Sequence, residues 1–194
     1  MTNNTTPQLK AVQQEKLDGV FMTYRDISEA TMRFFNCKTY LDQSGVPVKQ
    51  DYIYPSGGIK TRFFPKQFRA MNLQSDELFG MNLWNAGSGK IVTITEGELD
   101  AIATQQMLNN SDAVVSLRGG AAAAARDLKD NYTFIDGFKE VVLCFDADTA
   151  GQDAVAKACD IFAGKVRVMK LDPTIGKDAC DYLRAGKADE FANA

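Results

Sequence analysis

The sequence predicts an α/β fold in which a parallel sheet flanked by helices follows a smaller region of mixed α+β structure. Strand-like runs rich in β-branched residues lie at 91–95, 113–117, 141–145 and 166–171, and segments of helical character separate them. This alternation is typical of a parallel sheet with helices on both faces. The helical spacing is clearest in the stripe formed by Gly151, Ala154, Val155, Ala158, Ile161 and Phe162.

The composition fits a folded protein with a real hydrophobic core, since 45% of the 194 residues are apolar. No apolar run approaches the roughly 18 to 20 residues of a membrane span, and residues 1–10 lack the apolar stretch of a signal peptide. We therefore expect a cytoplasmic protein without a membrane partner.

Four cysteines and the absence of histidine limit the metal chemistry. Cys37, Cys144, Cys159 and Cys180 form no CxxC pair, and the chain contains no histidine. Neither a structural zinc site nor histidine-based catalysis is expected in this chain. Reduced thiols are expected instead, with Cys144 in a core strand and Cys159 on the inner face of a helix.

The charge is unevenly distributed along the chain, although the net charge is only −3. Residues 1–90 carry 11 basic and 8 acidic side chains, and residues 91–194 carry 11 basic and 17 acidic ones. A mildly basic first part and an acidic second part suit a metal-dependent polymerase. A DNA-coating protein is normally basic throughout.

Acidic residues follow three of the predicted strands. Asp146 and Asp148 come directly after the third strand, Glu96 follows the first, and Asp178 comes shortly after the fourth. Because ligands collect at the carboxyl ends of parallel strands, these side chains are expected to converge. Clustered carboxylates repel each other, and a divalent cation relieves the repulsion. For the two neighbouring aspartates alone, a simpler interpretation is a helix cap at Asp148 and a solvated strand end at Asp146.

A β-hairpin with a basic and aromatic surface is predicted in the first half. The strands 51–54 and 59–64 flank the glycine turn 55–58. Basic groups there can bind phosphates while aromatic rings stack on bases. The alternative is an ordinary hairpin with charges outside and aromatics inside. The residues concerned are Lys60, Arg62, Lys66 and Arg69, with Phe63, Phe64 and Phe68 between them.

Two glycine-containing loops have simple interpretations. Residues 85–90 are predicted to be a turn and not a nucleotide-binding P-loop, because Trp84 stands where that motif requires glycine and a strand follows. Arg118, Gly119 and Gly120 precede an alanine run. They form either a phosphate site at a helix start or a glycine turn that leads into the helix.

Four segments together carry a family resemblance: TEGELDAIA, VVSLRGGAAA, FDADTAG and GKDACDYL. They resemble the Toprim fold, which DNA primases, topoisomerases and some nucleases share. LFGMNLWNAGSGKIVTITEGELDA and YRDISEATMRFF are similar, more narrowly, to the primase half of the bifunctional primase-helicases of podovirus-type (T7-like) bacteriophages. The resemblance covers about residues 24–183.

The resemblance implies four segments. Residues 1–20 are a polar lead-in, residues 21–89 the N-terminal basic subdomain of the primase RNA polymerase core, and residues 90–184 the Toprim catalytic subdomain. Residues 185–194 are expected to begin a helix that the end of the chain cuts off. Within the basic subdomain, Asp26 and Glu29 resemble a capping box at the start of a helix.

The resemblance also implies a DNA primase that makes short RNA primers on single-stranded DNA for phage replication in the host cytoplasm. Ribonucleoside triphosphates are the implied substrates, and a replicative helicase, in cis in the family, is the implied partner. The zinc-binding module that usually precedes such primases is expected to be missing. Two classes compete with this hypothesis: a Toprim nuclease or topoisomerase-like enzyme that cuts DNA, and a non-catalytic module that binds DNA or a helicase.

The site residues follow from the motifs and the resemblance together. Mg²⁺, or Mn²⁺ in its place, is expected to be held by Glu96, Asp146, Asp148 and Asp178. Glu96 is also a candidate base for the primer 3′-hydroxyl. The resemblance adds Asp100 as an auxiliary acid. Cys180 departs from the family pattern, because relatives often have asparagine at that position. Nucleotide and nucleic-acid binding is expected at Lys60, Arg62, Lys66, Arg69 and Arg118.

Overall fold

The computed structural model describes residues 18–86, 89–109 and 112–194. Most of the predicted lead-in 1–20 and the centre of the predicted turn 85–90 lie outside the described residues. No helix among the described residues is long and apolar enough to cross a membrane.

The described residues of the first half form one α-helix and a four-stranded antiparallel sheet. The predicted hairpin is confirmed, because the strands β2 (Pro47–Ile53) and β3 (Ile59–Phe63) pair antiparallel in the register Gln50 with Arg62 and Tyr52 with Lys60. Gly57 has a φ of 84°, which only glycine adopts without strain, and its N–H closes the turn on the carbonyl of Tyr54. The elements, in sheet order, are α1 (Glu29–Phe34) followed by β1 (Lys38–Leu41), β2 (Pro47–Ile53), β3 (Ile59–Phe63) and β4 (Gln67–Met71).

Helix α1 begins differently from the prediction. The expected capping box at Asp26 is wrong, because Ser28 is the N-cap and its side chain accepts from the N–H of Thr31 at 3.2 Å. Asp26 instead has a φ of 63° in the preceding turn. Gln106 of the second half accepts from the N–H of Ser28 at 2.7 Å, so this cap also joins the two halves.

The second half has the predicted parallel α/β architecture. Its sheet has the order β6-β5-β7-β8, and all neighbours are parallel. Strand β8 is shorter than the predicted run 166–171, because residues 169–171 leave the sheet. The elements are β5 (Ile91–Thr95), α2 (Glu98–Leu108), β6 (Ala113–Ser116), α3 (Ala124–Asp130), α4 (Tyr132–Asp136), β7 (Glu140–Cys144), α5 (Thr149–Ile161), β8 (Val166–Val168), α6 (Ala179–Arg184) and α7 (Ala188–Ala192).

Two hydrophobic clusters lie on opposite faces of the parallel sheet. One packs beneath α3, α4 and α5 and includes Leu143 and Ala154. The other packs beneath α2, α6 and α7 and extends into the first half, where Phe35 stacks on Phe79 with ring centroids 5.6 Å apart. Burying such a side chain stabilises the fold by roughly 1.5–3 kcal/mol. The antiparallel sheet is therefore held against the parallel one by a shared core.

The C-terminal segment contains the short helix α7. Helix α7 ends at Ala192, with Asn193 as its C-cap. Phe191 is fully buried against Tyr182, with ring centroids 5.6 Å apart. This segment therefore contributes to the core beside α6.

The four cysteines are free thiols. Cys37, Cys144 and Cys180 are buried, whereas Cys159 is only partly covered on α5. Cys159 was predicted on the inner face of a helix, and it is only partly buried there. Burial raises the pKa of the Cys144 thiol, so this group stays protonated.

Candidate active site

A cleft of about 670 Å³ lies between the antiparallel sheet and the carboxyl edge of the parallel sheet. Its walls come from both halves of the chain. The acidic wall includes Glu96, Asp100, Asp146 and Asp178, and the opposite wall includes Lys60, Arg62, Lys66 and Phe68. A cavity of this size and polarity is suited to a nucleotide-sized ligand.

The acidic ends of β5 and β7 meet directly. The two strands are neighbours in the sheet, and Thr95 pairs with Cys144 at their ends. One residue further on, the N–H of Asp146 donates to the Oε1 atom of Glu96 at 2.9 Å. Two acids separated by 50 positions are thus joined by one hydrogen bond.

Gly151, in the first turn of α5, permits this close approach. A methyl group at this position would overlap the carbonyl oxygen of Asp146 and lie 2.8 Å from the Oε1 atom of Glu96. Only a residue without a side chain lets the helix start against both acids. Gly151 was noted in the sequence only as part of a helical stripe.

Asp148 and Asp178 are both helix caps. Asp148 accepts from the N–H of Gly151 at 3.0 Å, and Asp178 accepts from the N–H of Asp181 at 2.8 Å. Each cap occupies one carboxylate oxygen and leaves the other for a further partner. Asp178 lines the cleft, whereas Asp148 is exposed at the start of α5 and does not.

Asp100 and Asp178 lie close together in the cleft, beside Cys180. One ligand atom from each of Asp100, Asp178 and Cys180 lies within 4.8 Å of the other two. The N–H of Cys180 donates to the Oδ1 atom of Asp100 at 3.2 Å. Burial, and then the charge of Asp178, raise the pKa of Asp100 to about 7.

The donor set of this edge fits a hard divalent cation such as Mg²⁺. Carboxylate oxygens are the ligands that Mg²⁺ prefers, and the acids lining the cleft supply only oxygen. Cys180 does not add an anionic sulfur ligand, because burial and the neighbouring Asp100 carboxylate raise its pKa. Burial likewise raises the pKa values of Glu96 and Asp146, and a nearby cation would counter this effect.

Lys177 forms an ion pair with one of these acids. Its Nζ atom lies 3.2 Å from the Oδ2 atom of Asp146, which partly offsets the rise in the pKa of Asp146. The carbonyl of Lys177 also accepts from the N–H of Ala147 at 2.9 Å. The loop before α6 therefore contacts the loop after β7 through one ion pair and one backbone hydrogen bond.

Without a metal ion, the folded protein is expected to lose stability as the pH rises from about 4 to about 7. Asp100 has a raised pKa of about 7 in the fold against an ordinary 3.8. Its stabilising contribution is therefore complete below the ordinary pKa and disappears as the pH passes the folded-state value. Urea unfolding at a series of pH values measures this slope.

Asp100→Asn is the matching variant for this pH prediction, because asparagine does not titrate. The variant should lose less stability than the wild type over the same pH interval. Mg²⁺ should raise the stability of the wild type at pH 8 more than that of the variant. Equal slopes for the two proteins would contradict the assignment of a shifted pKa to Asp100.

The predicted basic residues fall into two groups. Arg62 and Lys66 line the cleft, together with the ring of Phe68. Arg62 is only 7% exposed, and its Nε atom has no hydrogen-bond partner among the described residues. Arg69 is exposed but does not line the cleft.

Lys60 and Arg118 are engaged in internal ion pairs. The Nζ atom of Lys60 lies 2.7 Å from the Oε1 atom of Glu98, and Arg118 lies 3.2 Å from Asp127. Asp127 is fully buried and also accepts from the N–H groups of Arg118 and Gly119, at 3.0 Å and 2.8 Å. The side chains of Glu98 and Asp127 thus shape the cleft, although sequence reasoning did not single them out.

Only one of the three interleaved phenylalanines lines the cleft. Phe68, on β4, is 49% exposed and lies on the same face as Arg62, its partner across the strands. Phe64 packs against Tyr24 with ring centroids 5.4 Å apart. The hairpin therefore lies between the two predicted alternatives, with the ring of Phe68 facing the cleft and that of Phe64 partly covered by Tyr24.

Comparison with known proteins agrees with this architecture. Residues 93–183 match the model of the Toprim-like family. The primase fragment of the bacteriophage T7 primase-helicase superposes with a TM-score of 0.82 at 32% sequence identity, covering 100% of this chain and 82% of that fragment. The chain belongs to the Toprim-type primase domains of T7-like phage primase-helicases. The fold and family predicted from the sequence motifs are thereby confirmed.

Further relatives include a protein that is much longer than this chain. The DNA helicase/primase of Enterobacteria phage T3 is 35% identical over 164 residues, which are 84% of this chain and 27% of that protein. The chain thus spans about a quarter of the T3 protein. Primase domains in a complex of the T7 lagging-strand DNA polymerase with an RNA/DNA hybrid and dTTP match at 33% identity and a TM-score of 0.81, with 92% of each chain covered. The catalytic domain of DnaG primase bound to single-stranded DNA shares the fold, with a TM-score of 0.64 at 17% identity.

Proposed function

We propose that this chain joins ribonucleotides into short RNA primers on a single-stranded DNA template, as the RNA polymerase domain of a phage primase. One observation carries the proposal: the acids at the ends of β5 and β7 and at the starts of α2 and α6 line one cleft with Arg62 and Lys66. Family membership selects nucleotidyl transfer from the reactions that such a site supports.

In the proposed mechanism, Asp146, Asp148 and Asp178 would hold divalent cations, with Glu96 as a further candidate ligand and Asp100 as an auxiliary acid. Toprim primases generally use a divalent metal ion, and we assign Mg²⁺, with Mn²⁺ as a substitute. The ion supplies Lewis-acid stabilisation of the charge on the triphosphate as pyrophosphate leaves. The capping bonds of Asp148 and Asp178 fix their carboxylates in place before substrates bind.

General-base action is the alternative proposed role of Glu96, in place of metal binding. Its pKa is raised by burial, which makes it a stronger base than an ordinary glutamate. One of its oxygens accepts from the N–H of Asp146. The other is proposed to accept the proton of the primer 3′-hydroxyl as the new bond forms.

Arg62, Lys66 and Phe68 are proposed to hold nucleotide and template. The guanidinium of Arg62 is buried without a carboxylate partner among the described residues, which is unfavourable unless an anion offsets the charge. A triphosphate or a template phosphate in the cleft supplies that anion. The exposed ring of Phe68 offers a face on which a base can stack.

We assign residues 21–89 to the basic subdomain and residues 90–184 to the catalytic subdomain of this primase. The T3 relative is a DNA helicase/primase, and T7 primase domains have been captured on an RNA/DNA hybrid with dTTP. By analogy, we propose single-stranded DNA and ribonucleoside triphosphates as ligands of this chain and a helicase domain in cis as its partner. Its place of action is then the host cytoplasm.

The product of the reaction tests this proposal against its rivals. The protein is incubated with labelled ribonucleotides, mixed-sequence single-stranded DNA and supercoiled DNA in Mg²⁺ buffer. A primase gives short, template-dependent RNA and leaves the supercoiled DNA intact. Nicked DNA without RNA would instead indicate a Toprim nuclease, and binding without either product would indicate a non-catalytic module.

A further inference from the structure

The ammonium group of Lys60, on β3, is surrounded by protein groups. Its Nζ atom lies 2.7 Å from the Oε1 atom of Glu98 and donates to the carbonyl of Arg118 at 2.9 Å. The ring of Phe68 lies beside it, with its centroid 5.3 Å from Nζ. The side chain of Lys60 is 15% exposed and that of Glu98 is 4% exposed. Glu98 offsets the charge of this ammonium group, and two of its three N–H donors face Glu98 and the Arg118 carbonyl, so at most one is left for a phosphate.

Glu98 connects this ion pair to the acidic wall of the cleft. It is the first residue of α2, two positions after Glu96 and two before Asp100. The hydroxyl of Tyr54, on the chain between β2 and β3, donates to the same Oε1 atom at 2.6 Å. The antiparallel sheet therefore holds the start of α2 through two side chains at a single carboxylate oxygen.

The carbonyl of Arg118 connects Lys60 to the glycine loop. Gly119 and Gly120 line the cleft, and the buried Asp127 binds the N–H groups of Arg118 and Gly119 from the opposite side. Lys60 is the contact by which β3 fixes this loop. One ammonium group thus spans three segments of the cleft wall.

We propose that Lys60 is a positioning residue and not a phosphate ligand. Through Glu98 and the Arg118 carbonyl, it holds the start of α2, with Glu96 and Asp100, and the glycine loop at a fixed distance from β3. This inference rests on the proposed function, because it assigns different roles to the basic residues of the same cleft. Phosphate contact falls to Arg62 and Lys66, whereas Lys60 sets the spacing between the basic and acidic walls.

The salt dependence of single-stranded DNA binding separates the two roles. Each lost phosphate contact lowers the slope of log affinity against log salt concentration by about 0.7 for a single strand. Lys60→Met, which keeps an apolar stem of similar length, should leave the wild-type slope unchanged. Lys66→Met is the matched comparison and should lower it by about 0.7. A slope lowered by that amount in Lys60→Met would overturn the inference.

Stability measurements test the ion pair without reference to activity. Lys60→Met leaves the Glu98 carboxylate buried and unpaired, so the unfolding equilibrium constant in urea should rise about 100-fold or more. The double variant Lys60→Met/Glu98→Gln removes that charge and keeps an acceptor for Tyr54. It should recover most of the lost stability. A Lys60→Met protein as stable as the wild type would contradict the ion pair.

The restored double variant then shows whether Lys60 does more than stabilise the fold. With a positioning role, its kcat for ribonucleotide joining stays at least tenfold below that of the wild type, while KM for the nucleotide is unchanged. Recovery of wild-type kcat would reduce Lys60 to a structural residue, and a raised KM would indicate a substrate contact. Failure of the proposed function appears separately, as a wild-type protein that makes no RNA, and the salt and stability tests still apply in that case.

Discussion

Asparagine in place of Asp146 or Asp148 is expected to abolish ribonucleotide joining and leave the fold intact. Each substitution removes a negatively charged oxygen from the metal-binding edge, and a metal contribution of several kcal/mol corresponds to a loss on the order of 1000-fold. Asparagine remains a good helix cap at position 148, so the start of α5 should persist. The measurement is RNA formed per minute at saturating nucleotide, beside the thermal unfolding curve.

Asp153→Asn is the control for these variants. Asp153 is an exposed residue of the same helix, α5, and does not line the cleft. Its replacement changes the net charge equally but should leave RNA synthesis at the wild-type level. If Asp146→Asn or Asp148→Asn retained near wild-type synthesis with saturating substrates, that residue would not be a metal ligand.

Gly151→Ala is the second substitution with a large expected effect. The added methyl group would overlap the Asp146 carbonyl and crowd Glu96, so α5 and the loop after β7 must move apart. A displacement of about 1 Å in such a site costs on the order of 100-fold in rate. RNA synthesis should therefore fall by about that factor, even where the variant remains folded at the assay temperature.

Gly45→Ala provides the comparison for a glycine substitution away from the cleft. Gly45 has a φ of 78°, with no heavy atom within 4 Å of an added methyl group. Its replacement should cost about 1–2 kcal/mol of stability through backbone strain alone, with little effect on the rate of the folded protein. Equal losses of activity in both variants would show that Gly151 acts through stability and not through the geometry of the acids.

The parallel sheet could be predicted because its strands are short apolar runs with clear ends. The expected run 91–95 coincides with β5, and the acids after β5 and β7 lie at one edge, as strand order and direction require. The end of the expected run 166–171 misleads because Met169 and Leu171 are apolar for another reason. Met169 and Leu171 are buried in the core outside the sheet.

The partners of the basic residues could not be predicted. Lys60 and Glu98 are 38 positions apart and meet only because the antiparallel sheet packs against the start of α2. Residue type alone does not distinguish Lys60, which is paired with Glu98, from Lys66, which lines the cleft and has no carboxylate partner in the part of the chain that the structure describes. The same limit applies to the cap of α1. Asp26 and Ser28 are both good caps, and the turn geometry selects Ser28.

Asp100 shows what the family resemblance added. In sequence it is one of several acids in the first turn of a helix, and its role was inferred only from the motif. In the structure, its ligand atom lies within 4.8 Å of that of Asp178, and its pKa is raised to about 7. Asp100 lies in the first turn of α2 and Glu96 just before this helix, and both line the cleft.

The most direct test of the central claim is template-dependent RNA synthesis by the wild-type protein under control of the divalent cation. Labelled ribonucleotide incorporated per protein is measured on single-stranded DNA in Mg²⁺, after chelation of the ion, and after Mg²⁺ is restored. If the acids act through a bound metal ion, short RNA is made with Mg²⁺ and none is made after chelation. RNA synthesis recovers fully when Mg²⁺ is restored. RNA synthesis that persists at the same rate after chelation would contradict the claim.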